Sequence, residues 1–153
     1  MRQITGDLFK TAVDLNADVI VITTNGFVKN DGTAVMGRGV ALTAARVWPT
    51  LPAMLGTAIR STGNHVHILY VDDGRCVVTL PVKNAWWENA DLELIERSVL
   101  ELVKWADESD WKVIVLPRPG CNNGRLDWKD VRPILEKHLD DRFVVAYKEE
   151  NLS

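Results

Sequence analysis

The distribution of apolar positions along the chain predicts strands and helices in alternation. Residues 19–22 are wholly apolar and β-branched, which is typical of a strand covered on both faces. Residues 39–47 and 51–62 have helical spacing, and Trp48-Pro49 ends the first helix while Gly63 ends the second. Apolar residues recur three and four positions apart over 91–107, so this segment is the clearest helix of the chain.

The remaining apolar runs complete a sheet. Residues 65–71 and 76–82 are strand-like, and the Asp73-Gly74 pair between them predicts an antiparallel hairpin. Residues 111–116 and 143–147 predict two further strands. The helix between them is expected to begin at Asp130 as N-cap, because Pro133 then falls in the first turn. The predicted fold class is α/β, with a mixed, mostly parallel sheet between two layers of helices.

Composition narrows the class of protein. A chain of 153 residues with 46% hydrophobic and 25% charged residues is typical of one soluble domain. The net charge of −3 gives no global basic field for nucleic acid but permits a local patch. Two cysteines outside any CxxC motif favour a reducing cytoplasm. Without an apolar run of membrane-spanning length or a signal-peptide pattern, we expect a cytoplasmic protein that does not bind membranes.

Two loops rich in glycine and asparagine are candidates for a ligand site. In an open α/β sheet, ligands bind beyond the carboxyl ends of the parallel strands, and residues 23–39 and 117–128 both follow predicted strands. Both loops lead to helix N-termini, which favour anions, so facing each other they would suit a diphosphate. Neither contains a complete nucleotide-binding fingerprint, and ordinary turns also use glycine and asparagine.

Five stretches resemble those of the macrodomains, an ADP-ribose-binding α/β/α family, and together they span nearly the whole chain. They are ITGDL at 4–8, VITTNG at 21–26, VMGRGVA at 35–41, LPVK at 80–83 and PRPGCNNGRLDW at 117–128. The last two resemble one branch of the family. That branch holds the bacterial DarG-type antitoxin macrodomains, which remove ADP-ribose from DNA, and the terminal ADP-ribose protein glycohydrolase.

The resemblance implies that residues 1–153 form a single macrodomain that binds ADP-ribose and needs no metal or other cofactor. Asp7 would then accept a hydrogen bond from the adenine, Asn25 would lie near the distal ribose, and the loops would surround the diphosphate. The implied ligand-binding residues are Asp7, Leu8, Asn25, Gly37, Arg38, Gly39, Val40, Pro119, Gly120, Cys121, Asn122, Asn123 and Gly124.

The resemblance also implies a catalytic lysine. Lys83 matches a lysine implicated as the nucleophile toward the distal ribose, a role that needs a lowered pKa and therefore desolvation or nearby positive charge. The protein-directed relative has an aspartate where this chain has Gly124, so ADP-ribosylated DNA is the favoured substrate and ADP-ribosylated protein the second. The alternatives are a non-catalytic ADP-ribose reader and a phosphatase acting on ADP-ribose 1″-phosphate. A monomer is expected.

Several of these residues also have purely structural interpretations. Asp7 is suited to a turn or a helix cap, Asn25 to bonding backbone groups at a strand end, and Lys83 to the solvated surface. Cys121 is more typical of a buried filler than of a nucleophile, since no histidine lies in a partnering motif.

The remaining polar and aromatic candidates divide in the same way. His65 and His67 are interpreted as edge or surface residues, because a metal site needs more ligands. Arg38 and Arg118 are surface arginines by default, but both flank the predicted cleft and are suited to phosphates or a nucleic-acid backbone. Trp86 and Trp87 are suited to stacking on a base, with at least one of them expected in the core.

Overall fold

The computed structural model describes residues 1–148 as a six-stranded sheet between two layers of helices. The sheet order is β1-β6-β5-β2-β4-β3, and every neighbouring pair is parallel except β3 and β4. This confirms the predicted mixed, mostly parallel α/β fold. The elements are β1 (Arg2–Thr5), α1 (Leu8–Asp14), β2 (Val19–Asn25), α2 (Gly39–Val47), α3 (Leu51–Thr62), β3 (His67–Asp72), β4 (Arg75–Lys83), α4 (Leu92–Ser109), β5 (Ile114–Leu116), α5 (Trp128–His138) and β6 (Phe143–Tyr147).

Alternation along the central strands supplies a core on each face of the sheet. Val19 and Val21 point toward the helices α4 and α5, whereas Ile20 and Ile22 point toward α1, α2 and α3. All four side chains are buried, as expected for a parallel strand covered on both sides. No helix within residues 1–148 combines the length and the apolar character needed to cross a membrane.

Helices α2 and α3 have the predicted bounds, and the predicted hairpin is present. Asp73 and Gly74 both have positive φ, at 51° and 77°, which is the backbone of a type I′ turn. The turn pairs Asp72 with Arg75, so β3 runs antiparallel to β4 as the Asp-Gly signal predicted.

The predicted start of the last helix was wrong. The N-cap of α5 is Asp127 rather than Asp130, and Pro133 lies inside the helix. Pro133 is exposed, so water can reach the backbone carbonyl of Lys129 that a proline cannot satisfy. Val131 and Leu135 of this helix bury their side chains against the sheet, and this burial offsets the cost of the proline.

Strand β5 is also shorter than the apolar run that predicted it. The backbone N–H groups of Lys112 and Val113 donate to the carboxylate of Asp18, at 2.8 and 2.9 Å, instead of joining the ladder. Only 114–116 therefore pair as a strand. The helix α1 was not predicted, because it is only seven residues long and follows directly on the Gly6-Asp7 motif.

Candidate active site

An elongated cleft crosses the carboxyl edge of the sheet. Its lining begins with Gly6 and Asp7 after β1 and reaches Lys83 at the end of β4, passing the ends of β6, β5 and β2. Neighbouring strands lie about 4.8 Å apart, so the four steps from β1 to β4 give the cleft a length of roughly 19 Å. The cleft volume is about 850 Å³, which lies within the range of small-molecule sites. The shape suits a ligand with two distinct ends joined by a linker.

The cleft brings together almost all of the residues predicted to form the site. Among the predicted site residues, Pro119 is the exception, because it is buried and does not line the cleft. Sequence reasoning missed Gly6, Phe9, Glu88, Arg125, Tyr147 and Lys148. The two last could have been found from strand order, since β6 lies between β1 and β5 and its carboxyl end opens at the same edge.

Asp7 is both a helix cap and a cleft residue. Its carboxylate accepts a hydrogen bond from the backbone N–H of Lys10 at 3.0 Å and lies 3.3 Å from the Nζ of Lys148. Partial burial raises the pKa of the Asp7 carboxyl, but these two partners outweigh burial and hold the pKa below its usual value. Asp7 is therefore an ionised acceptor, and its contact with adenine stays a prediction.

Arg118 is not an ordinary surface arginine, as its default interpretation had it. Its guanidinium carbon lies 3.9 Å from the ring centre of Tyr147 and 4.7 Å from that of Trp128. The buried Nε of Arg118 has no hydrogen-bond partner within residues 1–148. The cation is thus fixed at the wall of the cleft by two aromatic rings rather than by a carboxylate.

Asn25 fastens the first loop to the end of β2. Its side-chain nitrogen donates to the carbonyl of Val35 at 3.1 Å, and its oxygen accepts from the N–H of Phe27 at 2.9 Å. The structural interpretation of Asn25 is therefore confirmed. A register shift between β2 and β4 then places Lys83 opposite Asn25, because Val82 is the extra residue of a β-bulge.

The Lys83 amine lies at the end of the cleft without a carboxylate partner. Its Nζ donates to the carbonyl of Trp86 at 3.1 Å, and no carboxylate of the described chain lies within 4.0 Å of it. Desolvation lowers the pKa of Lys83, the charges of Arg38 and Arg125 lower it further, and Glu88 opposes them. These are the conditions under which a lysine amine gains nucleophilic character.

The two glycine-containing loops meet at the middle of the cleft. A side chain at Gly39 would approach the amide nitrogen of Asn123 to 2.5 Å, so the loops are in close contact. Gly39 opens α2, whose first backbone N–H groups have no partner within the helix. Arg38 precedes them as N-cap without a capping side chain. Unpaired donors, the helix dipole and a cation converge here, which is an arrangement that favours phosphate.

The glycines of residues 117–128 serve packing as well as ligand access. A Cβ at Gly120 would lie 2.9 Å from both Ala90 and Ile95, and its φ is +74°. A Cβ at Gly124 would lie 2.6 Å from the carbonyl oxygen of Gly120 and 2.7 Å from Ala90. The loop therefore lies directly on the start of α4, and position 124 has no room for the aspartate of the protein-directed relative.

Cys121 is a partly buried filler. Burial raises the pKa of its thiol to about 12, against the positive charge of Arg118, and the thiol contacts the carbonyl of Pro119 at 3.5 Å. The thiolate needed for nucleophilic attack is therefore scarce.

The expected burial of at least one of the two tryptophans was wrong. Trp86 and Trp87 are 50% and 62% exposed, because the turn after β4 carries both beyond the sheet.

His65 and His67 have structural contacts: His65 lies 2.7 Å from a carboxylate oxygen of Glu101, and His67 lies 3.0 Å from the carbonyl of Gly63. No group of three potential metal ligands occurs among residues 1–148.

The sheet order, the helix layers and the cleft at the carboxyl edge define the three-layer macrodomain fold. No protein-family model matches the chain. The macrodomain of Thermus aquaticus DarG superimposes with a TM-score of 0.79 at 25% identity, covering 96% of this chain and 97% of that one. The macrodomain of Mycobacterium tuberculosis DarG does so with a TM-score of 0.78 at 22% identity, covering 95% and 96%. The resemblance of the chain to DarG-type macrodomains is thereby confirmed.

A curated relative extends the comparison to sequence. The DNA ADP-ribosyl glycohydrolase of Thermus aquaticus is 28% identical over 146 residues, which is 92% of this chain and 38% of the relative. This chain thus spans well under half of the length of that protein.

Proposed function

We propose that this chain is an ADP-ribosyl hydrolase that removes ADP-ribose from a base of DNA, with Lys83 as the nucleophile. The observation that carries the proposal is the position of the Lys83 amine, with its lowered pKa, at the end of a two-ended cleft. The name of the Thermus aquaticus relative supports the same reaction and the same class of substrate.

ADP-ribose fits the cleft in one orientation. The adenine lies at the Asp7 end, where an ionised acceptor and the stacked Arg118 are available. The diphosphate lies against the N-terminus of α2 at Gly39, and the distal ribose reaches Asn25 and Lys83. This order is supported by the start of α2, where uncapped helix N–H groups meet Arg38 at the middle of the cleft.

The reaction balances without a metal or redox partner. The neutral Lys83 Nζ attacks the anomeric carbon of the distal ribose, a C–N bond forms, and the glycosidic bond to the base breaks. The base leaves with the electron pair and gains the proton that the amine loses. The ribose ring of the adduct opens to an imine, and water then hydrolyses the imine to release ADP-ribose and restore the amine.

The absence of a carboxylate at position 124 favours DNA over protein as the acceptor. The acid found there in the protein-directed relative cannot be supplied by this loop, since the space is filled by Gly120 and Ala90. Asp127 also lines the cleft, at the N-cap position of α5, where its side chain makes no capping hydrogen bond.

The test compares the protein with Lys83→Ala and, as a matched control, with Lys129→Ala, which removes an exposed lysine outside the cleft. Each is incubated with single-stranded DNA carrying ADP-ribosylated thymidine or guanine, and separately with an ADP-ribosylated protein. We expect release from DNA by the wild type and by Lys129→Ala but not by Lys83→Ala. Cyanoborohydride should trap a covalent ADP-ribosyl adduct on Lys83, detected by mass spectrometry.

Two outcomes would contradict the proposal. Release by Lys83→Ala at the wild-type rate would exclude the lysine as nucleophile. Tight binding of ADP-ribose without release from DNA or protein would make the chain a reader of the modification.

A further inference from the structure

Two tryptophans stand exposed beside Lys83. Trp86 and Trp87 follow the end of β4 and line the mouth of the cleft. Their rings meet edge to face, with centres 5.4 Å apart, and Trp87 meets Phe27 in the same way at 5.3 Å. Large aromatic side chains are ordinarily buried against the core, so a cluster of three with two members largely exposed marks a surface available to a partner.

The backbone that carries this aromatic cluster (Phe27, Trp86 and Trp87) is held in place. The Lys83 amine donates to the carbonyl of Trp86 at 3.1 Å. The N–H of Ala85 donates to the carboxylate of Glu88 at 2.8 Å, and the N–H of Glu88 returns to the carbonyl of Ala85 at 3.1 Å. The rings are therefore presented by a closed turn, which lowers the entropy that binding would cost.

Positive charge lies on the cleft side of the cluster. Arg38 and Arg125 lie on the cleft side, close enough to affect Lys83. Lys29 is two residues from Phe27 in the chain, and the guanidinium of Arg60 donates to the carbonyl of Lys29 at 2.9 Å. Glu88 and Asp31 are the carboxylates nearby, and Asp31 is engaged by the side chain and N–H of Thr33. In a chain of net charge −3, Lys83, Arg38 and Arg125 therefore form a local group of basic residues beside the aromatic cluster.

We propose that the aromatic cluster binds an unpaired base of single-stranded DNA next to the modified nucleotide, with the flanking cations on its phosphates. The proposal rests on the proposed function, because the Lys83 amine donates to the carbonyl of Trp86, so a base released at Lys83 leaves beside the cluster. Aromatic stacking and basic residues together are the means by which proteins hold single strands. A duplex hides the faces of its bases, so the cluster selects single-stranded over double-stranded substrate.

The first experiment measures binding of an unmodified oligonucleotide. Fluorescence anisotropy of a labelled twelve-nucleotide oligothymidylate is compared with that of its duplex for the full chain, Trp87→Ala, Trp87→Phe and Trp105→Ala. Trp105 is the matched control, because it is 40% exposed on α4 and lies outside the cleft. We expect Trp87→Ala to weaken single-strand binding by roughly 5- to 150-fold, Trp87→Phe to weaken it less, and Trp105→Ala to bind as the wild type does.

The second measurement separates this inference from the proposed function. Affinity for free ADP-ribose and the melting temperature are measured for the same variants, and we expect any loss of ADP-ribose affinity in Trp87→Ala to be smaller than its loss of DNA affinity. Equal affinity of the wild type for duplex and single strand, or unchanged DNA binding in Trp87→Ala, would overturn the inference. Trp87-dependent DNA binding without hydrolysis would instead contradict the proposed function alone.

Discussion

Position 124 has no room for a side chain, so the cost in stability of Gly124→Ala can be estimated from distances. Gly124→Ala places a Cβ 2.6 Å from the carbonyl oxygen of Gly120, 2.7 Å from the Cβ of Ala90 and 2.8 Å from the Cα of Gly120. Two of these three atoms are backbone, so a rotamer change cannot relieve the contact. Overpacking of this kind costs about 1–3 kcal/mol, and we expect the upper half of that range because the loop itself must move.

The assay is thermal unfolding of three glycine variants. For a chain of this length, 1 kcal/mol corresponds to about 2–4 °C, so Gly124→Ala should lower the melting temperature by roughly 4–12 °C. Gly74→Ala is the first control, because it meets no atom within 4 Å but has a φ of +77°. It should cost about 1–2 kcal/mol from backbone strain alone. Gly37→Ala has neither a contact nor a positive φ and should stay within about 0.5 kcal/mol of the wild type.

Gly124→Asp extends the prediction to function. The larger side chain should destabilise at least as much as alanine and should not confer release of ADP-ribose from protein. A melting temperature of Gly124→Ala equal to that of Gly37→Ala would contradict this prediction, since position 124 would then have room for a side chain. Normal folding of Gly124→Asp together with a gain of activity on ADP-ribosylated protein would contradict it as well.

Three further predictions follow from single contacts. Arg125→Gln removes a charge that repels the protonated Lys83 amine, so the pKa of Lys83 rises and the rising limb of the pH–rate profile should move to higher pH. The Ser98 hydroxyl donates to the buried carbonyl of Pro81 at 2.7 Å, and Ser98→Ala removes this donor. The free energy of unfolding, measured in urea, should fall by about 1–3 kcal/mol. Iodoacetamide at pH 8 should leave Cys121 unmodified in the folded protein, because a pKa of about 12 leaves about one thiolate in 10⁴. Rapid alkylation of Cys121 with loss of activity would contradict the last.

Periodicity predicted the central elements of the fold well, because their burial is uniform. Strands covered on both faces and helices with one buried face leave a clear pattern, so α2 and α3 were predicted to the residue. The predictions failed where a local interaction replaced the regular one. The Asp18 carboxylate takes the N–H groups that would have lengthened β5, and exposure of Pro133 lets α5 tolerate a proline inside it.

The site was predictable as two loops but not as a line of side chains. Neighbouring strands in the sheet are distant in sequence, so only the strand order shows that Tyr147 and Lys148 lie beside Asp7. Arg125 lies inside the quoted motif of residues 117–128, but nothing in the motif showed that its charge would act on Lys83. Its backbone lies in the left-handed region with a φ of +64°, which is uncommon for an arginine and orients it toward the Lys83 end of the cleft.

The lysine end of the cleft gains its character from backbone features rather than from a catalytic motif. The bulge at Val82 sets Lys83 opposite Asn25, and Asn25 is itself occupied in holding the first loop. The left-handed residue Arg125 adds positive charge from the second loop, and the filled space at Gly124 keeps a carboxylate away. Desolvation of the Lys83 amine is the largest cause of its lowered pKa, the positive charges of Arg38 and Arg125 lower the pKa further, and Glu88 opposes them, so the two loops adjust the proposed nucleophile through burial and charge.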